Sequence, residues 1–201
     1  MLSLLAAVSL ASSYCGLTSL AKVQEAAGDF CGTSAGCIYP LPQLAAQGSP
    51  IGTPPTLDPQ NFHVECQPTG HPACGLTVLP AVERIKARIF PVRNGTGTSA
   101  GSLISGLVIK LSSTQQVALQ HGVNESYELT VPNASGSMRI TISAATEWGA
   151  LHGLETFAQS VSLLKGTDHN WFPTPQPFYG LMLWPPARIV DSPRTAWRGL
   201  M

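Results

Sequence analysis

Few residues of this chain have the types and spacing that chemistry requires. His152 and Glu155 lie three residues apart on a predicted helix, so both side chains share one face and could approach a metal ion. A zinc site needs at least three protein ligands, and no third ligand stands near this pair in the sequence. We therefore interpret both as ordinary surface or packing residues and predict no metal site. The sequence also lacks the Walker phosphate loop and the His-Glu-x-x-His zinc motif.

The acidic residues show no catalytic pattern either. Hydrolysis of a glycosidic bond needs two positioned carboxyl groups, or one acid beside a group that helps the substrate to attack itself. The chain has 11 Asp and Glu residues, and no two of them form an evident pair. We predict no catalytic residue and no cofactor in this chain. That includes the acids of the irregular segments, which are Asp29, Asp58, Asp168 and Asp191.

The charge balance excludes whole classes of partner. Lys and Arg total 11, which equals the acidic total and gives a formal net charge of +0. A neutral chain has no overall electrostatic attraction for nucleic acid or for an anionic membrane surface, so neither is a predicted partner. Charged residues make up only 11% of the chain, against about a quarter in ordinary globular domains. Glycans are one way to keep such a surface soluble.

Acceptor sites for glycans and a leader segment point to the secretory pathway. Asn-x-Ser/Thr triplets begin at Asn94, Asn124 and Asn133, and we predict N-glycosylation there. The apolar run Leu2–Ala11 is followed by small residues, which is typical of a signal peptide, and it is too short to span a bilayer. We predict a signal peptide over residues 1–21, no membrane span in the mature chain, and a location in the lysosome, the vacuole or outside the cell.

Four cysteines follow the predicted leader. They are Cys31, Cys37, Cys66 and Cys74, and their spacings are not those of a zinc ribbon. Because an oxidising compartment favours disulfides, we predict that these cysteines pair with one another. Four cysteines allow three pairings, and the sequence does not choose among them. Free buried thiols are the alternative.

Composition and hydrophobic alternation divide the chain into segments. Residues 22–59 are rich in Gly, Pro, Ala and Ser and predict an irregular segment, whereas residues 60–166 predict a folded α/β domain. Residues 167–201, rich in proline and aromatic residues, predict an extended linker. Alternation within the domain predicts strands at 62–64 and 107–111 and a β-hairpin that joins 127–131 to 138–142.

Two helices are predicted in the same domain. The first has Val78, Val82, Ile85 and Ile89 on one face. The second begins at an N-cap, Thr146, and ends at Lys165, with Gly166 just beyond. The element order predicts an α+β fold in which a mainly antiparallel sheet carries helices on one face. Two glycines of the second helix, Gly149 and Gly153, should let its axis approach a neighbour closely. Its apolar stripe is expected to face the sheet and consists of Leu151, Leu154, Phe157, Ala158, Val161 and Leu164.

Two long motifs resemble the β-N-acetylhexosaminidases of glycoside hydrolase family 20. The stretch from Ala145 to Val161 is similar to the family's A-T-x-x-G-A-L-R/H-G-L-E-T-F-S-Q signature, which ends the N-terminal domain. The stretch from Arg188 to Met201 is similar to I-x-D-x-P-R-F-x-[HW]-R-G-L-M, which leads into the catalytic barrel, although Thr195 stands where Phe is usual. Weaker matches are Ile38 to Gln43 and Glu125 to Leu129.

The resemblance implies a zincin-like N-terminal domain without a zinc site, packed on a (β/α)8 barrel that this chain does not contain. In the family, an Asp-Glu pair of that barrel removes terminal N-acetylhexosamine residues from glycoconjugates, and the substrate's acetamido oxygen attacks C1. A barrel needs about 250 residues, so the barrel is an expected partner and this chain alone is expected to be inactive. Arg198 matches a family arginine for which we expect a structural role. The alternative is a stand-alone module that binds glycans or another subunit.

Overall fold

One sheet and two helices make up the described part of the chain. The computed structural model describes residues 42–48, 54–92, 102–113, 115–133, 137–164 and 178–192. The strands are β1 Leu44–Ala46, β2 Thr56–Leu57, β3 His63–Gln67, β4 Leu103–Leu111, β5 Tyr127–Val131, β6 Ser137–Ala144, β7 Val161–Leu164, β8 Phe178–Leu181 and β9 Ala187–Asp191. The helices are α1 Leu79–Ile89, which continues a π-helical turn over Cys74–Val78, and α2 Glu147–Gln159.

The sheet is mixed, with five antiparallel and three parallel pairs among the described strands, and the predicted antiparallel character does not hold at its centre. The central strand β4 runs parallel to β6 on one side and to β2 and β3 on the other. The remaining pairs are antiparallel: β1 with β9, β9 with β5, β5 with β6, β2 with β8 and β8 with β7. The difference arises because α1 returns the chain over the sheet between β3 and β4, and such a crossover joins parallel strands.

The predicted hairpin and the predicted core face are confirmed. β5 and β6 pair with Leu129 opposite Ile142, and both side chains are fully buried. Alternation directs Ile140 and Leu107 to the same face. α2 packs on this face against β5 and β6, and it also contacts α1. Both helices therefore cover one face of the sheet.

The second helix begins as predicted but ends earlier. Thr146 is the N-cap: its Oγ1 accepts a hydrogen bond from the Gly149 backbone N at 3.4 Å. The helix stops at Gln159, because Ser160 donates its hydroxyl to the Phe157 carbonyl at 2.7 Å and the chain then enters β7. The predicted end at Lys165 is wrong because the apolar spacing of residues 161–164 suits a strand as well as a helix. Pairing with β8, far along the chain, decides between them.

The segments predicted to be irregular or extended also supply strands. β1 and β2 come from residues 22–59, and β8 and β9 come from residues 167–201. Ala45 of β1 lies opposite Ile189 of β9, and both are buried. The Tyr179 hydroxyl of β8 donates to the carbonyl O of Val92 and accepts from the Val92 N, each at 3.0 Å. Residues distant in sequence thus complete the core.

Candidate functional site

Two acid–base pairs lie on the sheet face opposite the helices. Arg188 of β9 donates to both carboxylate oxygens of Glu128 on β5, at 2.7 and 3.1 Å. This charge-assisted hydrogen bonding holds the pKa of Glu128 below its usual range and raises the pKa of Arg188. Arg139 of β6 donates to Glu65 of β3 at 3.0 Å. Both glutamates are therefore bonded to arginine side chains of neighbouring elements.

Four aspartates were predicted to lie in irregular segments, but the structure corrects this for Asp191, which ends β9 because the strand pairs with β5 and β1. Asp58 accepts from the backbone N of Gln60 at 2.9 Å and from the side-chain amide of Asn61 at 2.7 Å, which fixes a turn. Asp191 is buried and accepts from the backbone N of Gln43 at 3.3 Å. Asp29 and Asp168 lie outside the described residues.

The candidate metal pair on α2 contacts two different partners. The His152 Nε2 lies 3.1 Å from a carboxylate oxygen of Glu125, in the loop before β5. Glu155 instead accepts from Arg88 of α1 at 2.8 Å. Among the described residues, no group of three His, Cys, Asp or Glu side chains is arranged to hold a metal ion. The pair acts in the structure as two separate links from α2 to its surroundings.

A buried glutamate at the start of α2 was not singled out by the sequence. The Glu147 side chain is fully buried, and one carboxylate oxygen accepts from the backbone N of Val117 at 3.0 Å. Trp148 donates its ring N–H to the Val117 carbonyl at 2.8 Å. The other carboxylate oxygen of Glu147 has no hydrogen-bond partner in the described structure. Glu147 and Trp148 together fasten the loop that follows β4 to the helix.

An open depression lies at the ends of β3 and β4. Its volume is about 430 Å³, and its lining is Gln67, Pro68, Thr69, Lys110 and Leu111. This lining contains one cation and no carboxylate, so it offers no acid–base pair. The depression does not supply the groups that glycoside hydrolysis needs.

Three exposed leucines border the helix layer. Leu76 is 70% exposed and Leu79 is 40% exposed at the start of α1, and Leu119 of the loop after β4 is 61% exposed. The side chain of Gln116 in that loop donates to Thr77 at 3.4 Å and brings the two segments together. We call Leu76, Leu79 and Leu119 the leucine corner. Contiguous exposed apolar surface is a mark of interaction sites in soluble proteins.

The structure also locates part of the predicted modification sites. Cys66 and Cys74 form a disulfide, whereas Cys31 and Cys37 lie outside the described residues. Asn124 and Asn133 are exposed at the two ends of β5. Asn124 accepts from the Ser126 backbone N at 2.9 Å and from its hydroxyl at 2.6 Å. Asn94 lies outside the described residues.

Within the described ranges, no helix has both the length and the apolar content to cross a membrane.

The chain is similar to one family and to several curated proteins. The profile of the family described as "beta-acetyl hexosaminidase like" matches residues 38–160. Beta-hexosaminidase 3 of Arabidopsis thaliana is 33% identical over 129 residues, which are 63% of this chain and 22% of that protein. Beta-hexosaminidase subunit beta of Homo sapiens is 29% identical over an alignment that covers 100% of this chain and 35% of that protein.

A solved structure of glycoside hydrolase family 20 is also similar to this chain. The chitobiase of Flavobacterium johnsoniae, a glycoside hydrolase of family 20, aligns with a TM-score of 0.51 at 26% sequence identity. The alignment covers 79% of this chain and 21% of that enzyme. The chain therefore spans between about a fifth and a third of the length of the relatives that it matches.

Proposed function

The chain belongs to the family of β-acetyl hexosaminidase-like N-terminal domains of glycoside hydrolase family 20, and we propose that it serves as a non-catalytic structural domain of a β-N-acetylhexosaminidase. The complete enzyme would hydrolyse terminal N-acetylhexosamine residues of glycoconjugates with retention of configuration, and a separate catalytic domain would supply the reacting carboxyl groups.

The observation that carries the proposal is the use of the acidic side chains. Glu128 and Glu65 are bonded to arginines, Glu147 holds a backbone N–H, and Asp58 caps a turn. An acid catalyst must be free to approach a glycosidic oxygen, and a helper carboxylate must face the same sugar. These carboxylates form structural contacts on separate elements, so they are neither free to protonate a glycosidic oxygen nor directed at one common sugar. We further propose the zincin-like type for this layer, used as a scaffold rather than as a metal site.

We propose that the leucine corner contacts the catalytic domain. Burial of exposed leucines would stabilise the contact by roughly 1.5–3 kcal/mol for each side chain that becomes fully buried. The membership of the family supports a catalytic domain as the occupant, because the chain covers only 22% of the plant relative. Through this surface the domain would stabilise the folded state of the catalytic domain.

A domain exchange tests this function directly. The N-terminal domain of the Arabidopsis relative is replaced by residues 38–192 of this chain, and hydrolysis of a chromogenic N-acetylglucosaminide is measured. We expect a folded, active chimera, and we expect Leu76→Asp to reduce its yield and thermal stability. Leu163→Asp is the matched control, because Leu163 is 41% exposed on β7, outside the leucine corner. Equal effects of the two substitutions would contradict the assigned surface, and full activity of the relative with its domain deleted would contradict the structural function.

We also propose that the protein enters the secretory pathway and carries N-glycans on Asn94, Asn124 or Asn133. Exposure of Asn124 and Asn133 and a disulfide supports this proposal. Expression in eukaryotic cells, followed by mass spectrometry before and after enzymatic removal of N-glycans, should show a mass shift. A cytosolic product with no mass shift would contradict the proposal.

A further inference from the structure

His71 lies in a tight turn between β3 and the first helical segment. The chain becomes helical at Pro72, so His71 occupies the N-cap position of that segment. The side chain is 6% exposed, and its Nδ1 accepts a hydrogen bond from the backbone N of Ala73 at 3.1 Å. Its Nε2 lies 2.7 Å from the carbonyl O of Ser113, two residues beyond the end of β4. One ring therefore caps a helical segment and ties it to the central strand.

These two contacts define the protonation state of the ring. A backbone N–H can only donate, so Nδ1 must carry a lone pair. A carbonyl oxygen can only accept, so Nε2 must carry the hydrogen. The geometry selects the neutral Nε2–H tautomer. A proton added at Nδ1 would face the Ala73 N–H and would place a positive charge at the positive end of the helix.

We propose that His71 is an acid-sensitive cap. When Nδ1 gains a proton, the bond from Ala73 is lost, and the turn that joins β3 to the helix becomes loose. The bond to Ser113 can persist, because Nε2 remains a donor. This loss of order is confined to the start of the helical segment. Leu76, one residue of the leucine corner, lies in that segment. Acidification would therefore change the order of a segment at the surface assigned to the catalytic domain.

No charged side chain near the turn is bonded to the His71 ring in the described structure, so none would compensate for the loss of the hydrogen bond from Ala73. The elements that meet the turn are β3, β4 and α2, and their ionisable side chains are His63, Glu65, Lys110, Glu147, His152 and Glu155. Glu65 is bonded to Arg139 and to Gln67, and Glu147 is bonded to Val117. His152 contacts Glu125, Glu155 is bonded to Arg88, and Lys110 lines the open depression. In the described structure none of these groups forms a hydrogen bond or an ion pair with the ring of His71. No carboxylate is bonded to the ring to stabilise an added proton.

Hydrogen–deuterium exchange of the full chain at about pH 7.5 and about pH 5 tests the cap, since a histidine changes its charge in this interval. After correction for intrinsic exchange rates, protection of the peptide over residues 72–78 should fall roughly five- to tenfold on acidification, as expected for one hydrogen bond. In His71→Asn the asparagine oxygen can still accept from Ala73 and does not titrate, so protection should be independent of pH. His121→Asn, at an exposed loop histidine, should keep the parental response.

Unchanged protection of the parent chain at the lower pH, or the same loss in His71→Asn, would overturn the proposal. A second measurement does not depend on any variant. Nitrogen NMR of the histidine rings in the parent chain should show the Nε2–H tautomer for His71 near neutral pH. An Nδ1–H tautomer or a doubly protonated ring at that pH would also overturn it.

Discussion

A Cβ atom on Gly153 would lie 2.6 Å from the Cγ2 atom of Ile142, so α2 touches β6 at a position that has no side chain. The sequence predicted this close approach from two glycines spaced four residues apart. At Gly149 the obstacle is different, because a Cβ there would lie 2.3 Å from the backbone carbonyl oxygen of Ser126. The obstacle at Gly153 is a fully buried side chain, whereas the obstacle at Gly149 is the backbone of a loop fixed by further hydrogen bonds.

This contrast predicts the effect of adding side chains to α2. Gly153→Leu should destabilise the fold by about 1–3 kcal/mol through overpacking, although leucine favours helices by up to about 1 kcal/mol more than glycine. Gly149→Ala should cost at least as much as Gly153→Ala, because backbone must move. The matched control is Gly75→Ala at an exposed site with no atom within 4 Å, which should stabilise by about 0.5–1 kcal/mol. Denaturant melts measure all four variants, and a Gly153→Leu protein as stable as the parent would contradict this packing.

Phe157 links the helix to an aromatic cluster in the core. Its ring stacks on Phe62 with centroids 5.8 Å apart, and Phe62 in turn meets Phe90 edge-on at 5.6 Å. Phe157 is 1% exposed, so Phe157→Ala should lower the free energy of unfolding by about 3–5 kcal/mol. Leu163→Ala at the half-exposed edge strand is the control and should cost far less. Similar losses for the two variants in chemical denaturation would show that this cluster is not the core.

The Glu128–Arg188 pair predicts a pH dependence whose sign follows from the lowered pKa of Glu128. A carboxyl group with a lower pKa in the folded than in the unfolded state stabilises the fold above its unfolded pKa, and this contribution is lost as the pH falls through the folded pKa. The parent chain should therefore lose stability as the pH falls below 4.5, the ordinary pKa of a glutamate side chain. Glu128→Gln should lose less over the same interval. The difference should be small, because both side chains are partly exposed and screened by solvent.

Thermal melts of both proteins across the acidic range measure this difference. The control for the loss of one negative charge is Glu83→Gln. Glu83 lies on α1, and its side chain is 69% exposed. A Glu128→Gln variant whose melting temperature falls with acid as steeply as that of the parent would argue against a stabilising pair.

The disulfide gives a prediction that separates the two interpretations of the cysteines. Peptide mapping without reductant should recover Cys66 linked to Cys74. Replacing both with alanine should destabilise the fold by about 2–3 kcal/mol, as expected for closing a short loop. Recovery of both as free thiols from secreted protein would favour the alternative of buried thiols. That Cys31 and Cys37, for which the sequence left the pairing open, also form disulfides stays a prediction.

Local patterns predicted the central part of the fold and failed where distant strands decide. Alternation between 127 and 142 predicted the hairpin, and Thr146 predicted the start of α2, because both depend on neighbouring residues. The end of α2 was wrong because Val161 turns into a strand only when Leu181 pairs with it. β1 and β9 were missed for the same reason, since Ala45 and Ile189 are brought together only by the folded sheet.

The contacts of the acidic side chains could not be predicted from the sequence. The arginine partners of Glu128 and Glu65 come from other strands and leave no local pattern. His71 also had no sequence signal, because its role depends on the Ser113 carbonyl at the far end of β4. The leucine corner depends in the same way on a loop contact between Gln116 and Thr77.

The most direct test of the non-catalytic role is the hydrolysis of a chromogenic N-acetylglucosaminide by the purified chain alone, over a range of pH and at high protein concentration. We expect no turnover above the uncatalysed rate, because the carboxylates in the described structure are bonded to basic side chains or to backbone groups on separate elements. A preparation carrying Phe157→Ala, which should disrupt the fold, controls for contaminating enzyme. Turnover that follows the folded parent chain through purification and is absent from that variant would contradict the account.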